Sequence, residues 1–124
     1  MAGKIIADQI QSTTAGTLDT KYVVNGSAKA WMHYRATTPN TVLNSLNTSS
    51  VTDNATGDFR QNFVSSFSTI NACVVTGKTN QLSNSGNAMG ASLGATSSID
   101  IVVYEVGSKV DSGNNFTNAA GDLA

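Results

Sequence analysis

Few residues in this chain could do bond-making chemistry. His33 is the only histidine, Cys73 the only cysteine and Glu105 the only glutamate, beside seven aspartates. A Ser-His-Asp hydrolase would have to take its general base from His33, and a glycosidase would have to pair Glu105 with one aspartate. Nothing in the sequence selects either partner, so the chain reads as non-enzymatic. One histidine and one cysteine do not make a Cys/His zinc set within one chain. Cys73 lies in the apolar run Ala72, Cys73, Val74, Val75 and is expected to be a buried, inert thiol. Gly77-Lys78-Thr79 matches the end of a phosphate-binding loop. That loop needs a glycine five residues earlier, where Ala72 stands, and a helix to follow.

Asp53, Asn54 and Asp58 in SVTDNATGDFRQNF place oxygen ligands close together, which raises calcium. An EF-hand loop counted from Asp53 would need a bidentate glutamate at its twelfth position, where Val64 stands. A turn is the better reading, with Asp53 and Asp58 as local hydrogen-bond acceptors. No cofactor is implied. Four Asn-x-Ser/Thr sequons begin at Asn25, Asn47, Asn54 and Asn115, as composition alone would produce.

The elements that must position these residues have the period of strands. In AKAWMHYR, Ala28, Ala30, Met32 and Tyr34 share one face, and Lys29, Trp31, His33 and Arg35 share the other. In SIDIVVYEV both faces are apolar, so a central strand or a subunit contact is expected. TVLNSL, DFRQNF, NACVVTGK and AMGASL are further short segments bounded by turn-forming residues. Helical spacing is confined to an Ile6/Ile10 pair near the start. The expected fold is all-β, an antiparallel β-sandwich or jelly-roll-like domain of roughly seven to eight short strands.

Phe59, Gln61 and Phe63 alternate on one face, as do Leu46 and Thr48 on the preceding strand, but Val51 is out of phase by one. An inward Val51 therefore requires a β-bulge at Ser49-Ser50, where one extra residue resets the parity. Asp53 to Gly57 then form a four- or five-residue hairpin connection, with Gly57 supplying a positive φ.

Ser, Thr and Asn make up roughly a third of the chain, while charged residues are only 12%. A net charge of −1 provides no field to draw a phosphate backbone, so nucleic acid is excluded as a partner. No stretch approaches the ~20 apolar residues of a membrane span, and the start has no apolar export segment. With so few large apolar side chains a monomer would be marginal, and a homo-oligomer is expected through Ile5, Ile6, Trp31, Tyr104 and Phe116. The loop Thr79 to Ala88 is the expected receptor contact, through Thr79, Asn80, Gln81, Ser83, Asn84 and Asn87, whose amides and hydroxyls suit adaptable hydrogen bonding.

VVNGSAKAWMHY (Val23 to Tyr34) together with SSVTDNATGDFRQNF (Ser49 to Phe63) resembles a short β domain of bacteriophage tail-fibre and other virion structural proteins. The resemblance spans about Ile6 to Val106. It implies a non-catalytic component of the virion surface, commonly trimeric, working with other virion proteins in assembly and host attachment to a bacterial surface glycan or protein. Three departures stand out. Gln61 replaces an apolar residue, Pro39 enters the linker RATTPNT, and residues follow Val106 where the domain normally stops. The expected organisation is a lead-in or assembly segment over 1–22, a β-sandwich over 23–106 and a C-terminal extension over 107–124. Competing readings are a capsid decoration or spike protein, a soluble lectin stacking sugar on Trp31 or Tyr34, and, weakest, a hydrolase built on His33 or Glu105.

Overall fold

A computed structural model of the chain describes residue 3 and residues 6–78 and 88–124. Alternating segments form strands that pair antiparallel throughout, and the fold is the expected all-β, sandwich-like one. One sheet contains β3 (Ala28–Arg35), β4 (Thr41–Leu46), β7 (Cys73–Lys78) and β11 (Asn115–Ala120), in the order β4-β3-β11-β7. The other contains β5 (Thr48–Ala55), β6 (Asp58–Phe63), β8 (Ala88–Ala95), β9 (Ser98–Glu105) and β10 (Ser108–Lys109). Strand β9 has β6 on one edge and β8 on the other. Because β8 already occupies the level of Tyr104 through Ala88, β10, which pairs Lys109 with Tyr104, continues the line of β6.

The core lies between the inner faces. Ala30, Met32 and Tyr34 of β3 and Ala119 of β11 meet Phe59 and Phe63 of β6 and Ile99, Ile101 and Val103 of β9, with Phe67 closing one end. Burying the Met, Phe, Ile and Val side chains among them gives about 1.5–3 kcal/mol each before ordering costs, so these alternating positions hold the sheets face to face. The free edges are tied in two ways. Thr76 Oγ1 on β7 donates to the Met89 carbonyl on β8 at 3.0 Å. On the opposite side the chain steps from β4 to β5 at Asn47, whose φ of 56° makes the corner. Asn47 Oδ1 accepts from the Ser65 N–H at 2.7 Å and its Nδ2 donates to the Ser65 carbonyl at 2.9 Å, fixing that corner to the segment after β6. Leu46 and Thr48, expected on one strand, thus belong to different sheets.

The register between β5 and β6 shifts between Thr48 and Ser50, the position that the parity of Val51 requires. A second shift at Asn54 carries β5 on to Ala55, leaving Thr56 and Gly57 as the turn. The hairpin connection is therefore shorter than the sequence suggests. Gly57 has φ +63°, as expected.

Other expectations are corrected. The segment 107–124 is no extension, because it supplies β10 and β11, and β11 lies between β3 and β7 in the middle of its sheet. The lead-in holds a separate hairpin of β1 (Gln9–Ser12) and β2 (Gly16–Asp19), followed by a helix, α1 (Thr20–Gly26), so the sandwich begins at Ala28. Ile10 accordingly lies on a strand rather than on a helix with Ile6. With β1, β2, β10 and β11 included, eleven strands are present among the described residues. Cys73 is exposed, since β7 is an edge strand that turns Val74, Thr76 and Lys78 partly inward and Cys73 outward. Gln61 is fully buried at 0% exposure, so the inner face of β6 is buried along its length.

Candidate functional site

The residues with recognition chemistry converge on the outer face of the β4-β3-β11-β7 sheet. Cross-strand pairing places Leu46, Trp31, Asn118 and Val75 in one row across the four strands. The next row is Asn44, His33, Phe116 and Gly77. Opposed residues in a sheet share a face, so these side chains form one surface. It is concave, a groove of about 520 Å³ lined by Trp31, His33, Asn44, Val75, Gly77, Phe116 and Asn118 together with backbone of the same strands.

Its rings are held rather than loose. The His33 imidazole stacks on Phe116 with centroids 4.1 Å apart and planes 23° from parallel. His33 Nε2 is 3.0 Å from Asn114 Oδ1, which fixes the ring edge-on. Trp31 is half-buried in the adjacent row. Gly77 stands opposite Phe116 on edge strand β7, and among the described residues a Cβ added there would meet nothing within 4 Å. The cations Lys29 and Arg35 are at the two ends of β3, outside the lining.

The end of the sandwich around the β5–β6 turn is polar. Asp53 Oδ2 accepts from Asn40 Nδ2 at 2.7 Å, and Asp58 accepts from Asn54 Nδ2 at 3.3 Å and from Lys109 Nζ at 2.7 Å. The hydrogen bond from Lys109 is the main reason that the Asp58 carboxyl titrates below its ordinary value, with Asn54 adding to it. Gly57 N–H donates to Asp111 Oδ1 at 2.8 Å, and its carbonyl accepts from Val103 N–H. DNATGD is thus the end of the β5–β6 hairpin, with its carboxylates committed to protein donors. Burial, then the charges of Asp53 and Asp111, push the nearby Tyr34 phenol up.

The sequence-selected residues are distributed as follows. Trp31 and Phe116 come together in the groove, whereas Tyr104 lies on the other sheet at 39% exposure and Ile6 stands out at 83%. Tyr34 is 3% exposed and faces the core, so it is no stacking platform. Ile5 and the loop residues Thr79, Asn80, Gln81, Ser83, Asn84 and Asn87 lie outside the described residues. Glu105 is 4.0 Å from Lys78 Nζ, linking the ends of β9 and β7.

Sequence reasoning missed two features. Gly90-Ala91-Ser92-Leu93-Gly94 has the spacing of a nucleophile elbow, but it lies within β8, with Ser92 paired to Asp100 on the outer face of the other sheet. The sandwich therefore separates it from His33, and no nucleophile–base pair forms. The other is the partnership of Phe116 with His33, whose signal, alternation in NFTNAA, is obscured by small and polar inward residues. No protein-family model matches this chain, and no curated protein or solved structure compared with it does either.

Proposed function

We propose that this chain is a non-catalytic structural domain of a bacteriophage virion, of the tail-fibre type, displayed at the particle surface as a homotrimer and taking part in host attachment. The observation that carries the reading is the ring-and-amide groove, borne by a braced sheet whose opposite face is core. A rigid scaffold presenting a recognition surface suits contact rather than turnover.

The phage setting is supported by the resemblance of Val23–Tyr34 and Ser49–Phe63. In the fold these stretches supply β3 of one sheet and the β5–β6 hairpin of the other, so the likeness involves core strands of both layers. Oligomerisation is supported by the segment before the sandwich, where Ile6, Ile10, Leu18, Tyr22, Val23 and Val24 are all exposed. The test is mass spectrometry of purified particles followed by cryo-microscopic reconstruction. Density for three copies at the tail is the expected result. Three copies on the capsid would move the domain to decoration, and absence from particles would end the virion reading.

A further inference from the structure

We propose that the groove on the outer face of the β4-β3-β11-β7 sheet is a carbohydrate site that takes the pyranose rings of a neutral, hydroxyl-rich glycan. The inference names the ligand of the attachment role and rests on that reading for its setting, while binding itself is a property of the chain alone.

The lining decides the chemistry. One face of a pyranose is a patch of C–H bonds and packs on an aromatic ring, and the groove offers Trp31 beside the stacked His33–Phe116 pair. The rim of a pyranose is hydroxyls, each able to donate and to accept. A carboxamide answers both roles from one planar group, and Asn44 and Asn118 line the same groove. Asn44 Oδ1 accepts from the Ser45 N–H at 2.9 Å, and among the described residues its Nδ2 makes no hydrogen bond. Among the described residues Asn118 makes no side-chain hydrogen bond, although it stands between Trp31 and Val75.

Other occupants fit less well. A second protein surface closing dry over this face would strand the amides of Asn44 and Asn118, a desolvation penalty that hydroxyls avoid by bonding to them. A nucleic acid or acidic glycan needs cations at the site. Lys29 and Arg35 stand outside the lining, and the chain carries a net charge of −1. The size, about 520 Å³, falls among small-ligand clefts and has room for a short oligosaccharide.

Trp31 is the only tryptophan, so its fluorescence reports the groove without ambiguity. The experiment titrates the full chain with maltotriose, cellotriose, chitotriose and mannotriose at millimolar concentration, with trigalacturonate and oligothymidylate as charged comparisons. At least one neutral sugar is expected to shift the emission saturably, with a millimolar-to-micromolar dissociation constant. Gly77→Val puts a side chain into the groove where its Cβ meets nothing within 4 Å, so it is expected to keep the thermal midpoint and weaken that sugar by about tenfold or more. Asn118→Leu, on an exposed position, is expected to weaken it similarly with the fold intact.

Silence toward all four neutral sugars, or unchanged affinity in Gly77→Val, overturns the proposal. So does tighter binding of either charged probe, or emission that follows protein concentration alone, which would identify a second copy as the occupant. Sugar binding by a chain missing from virions would remove only the attachment reading, whereas virion incorporation without sugar binding would remove only this one.

Discussion

The Thr117 hydroxyl donates a 2.6 Å hydrogen bond to Gln61 Oε1 in the core, so one buried amide joins β11 of one sheet to β6 of the other. Gln61 Nε2 in turn donates to Thr48 Oγ1 at 2.8 Å, which satisfies both ends of the carboxamide. Leaving one buried partner unsatisfied costs about 1–3 kcal/mol, whereas removing both can be nearly neutral. Gln61→Leu is accordingly expected to destabilise by about 1–3 kcal/mol, and Gln61→Leu with Thr117→Val to recover most of that loss. Urea melts of both single variants and the double variant measure the coupling.

Gly57 is the second point where the turn depends on one residue. Its φ is +63°, and a Cβ would stand 2.5 Å from Val110 N and 2.7 Å from the Val103 carbonyl. A left-handed L-residue costs about 1–2 kcal/mol before any clash. Gly57→Ala should therefore destabilise by more than about 2 kcal/mol. Gly107→Ala, at φ +81° with open space around it, should show only the backbone part. Comparing their denaturation midpoints separates steric from conformational strain.

The two ends of the pH scale test different groups. Asp58 titrates below its ordinary 3.8 because Lys109 and Asn54 donate to it, so its stabilisation is complete above that value and is lost as pH falls through the lowered one. Asp58→Asn should flatten the acid limb of a stability profile, and added salt should shrink the difference because the pair is partly exposed. Tyr34 titrates above 10.0, chiefly through burial, so its contribution is complete below pH 10 and disappears as pH rises through the raised value. Tyr34→Phe should remove that alkaline loss, followed by phenolate absorbance alongside unfolding.

The hairpin of β1 and β2 pairs only with itself, and all four residues of β1 are exposed. A lone two-stranded hairpin and a helix of seven residues are each marginal in water. In dilute solution the amides of Gln9–Gly26 should exchange far faster than those of β6 and β9. On the proposed oligomerisation, higher protein concentration should protect them, as hydrogen-exchange mass spectrometry at two protein concentrations would show.

Strands with large apolar side chains on one face were legible from sequence. In β3, Ala30, Met32 and Tyr34 alternate inward as their spacing requires, and Val51 betrayed the bulge because an apolar residue out of phase has only one remedy. Strand β11 was not legible because it turns Asn115, Thr117 and Ala119 inward, which reads as a polar tail. Their buried donors are met by partners that the local sequence does not reveal, although Asn115 Oδ1 has none among the described residues. Gln61 receives Thr117, and the carbonyls of Tyr34 and Ser112 receive Asn115 Nδ2 at 3.2 and 3.0 Å. Half of the groove followed from the same cause. Trp31 and His33 fell on one face of a recognisable strand, but Phe116 and Asn118 join them only once β11 is placed between β3 and β7.

That central position gives β11 a temporal meaning. During synthesis β3 and β7 emerge long before the strand that must separate them, and neither can complete its ladder until residue 120 has cleared the ribosome. Closure across such sequence distances is slow, so the half-made sheet waits with two open edges. The groove is complete only when β11 has docked between β3 and β7, and a chain cut short before Asn115 would lack the Phe116 and Asn118 side of its lining.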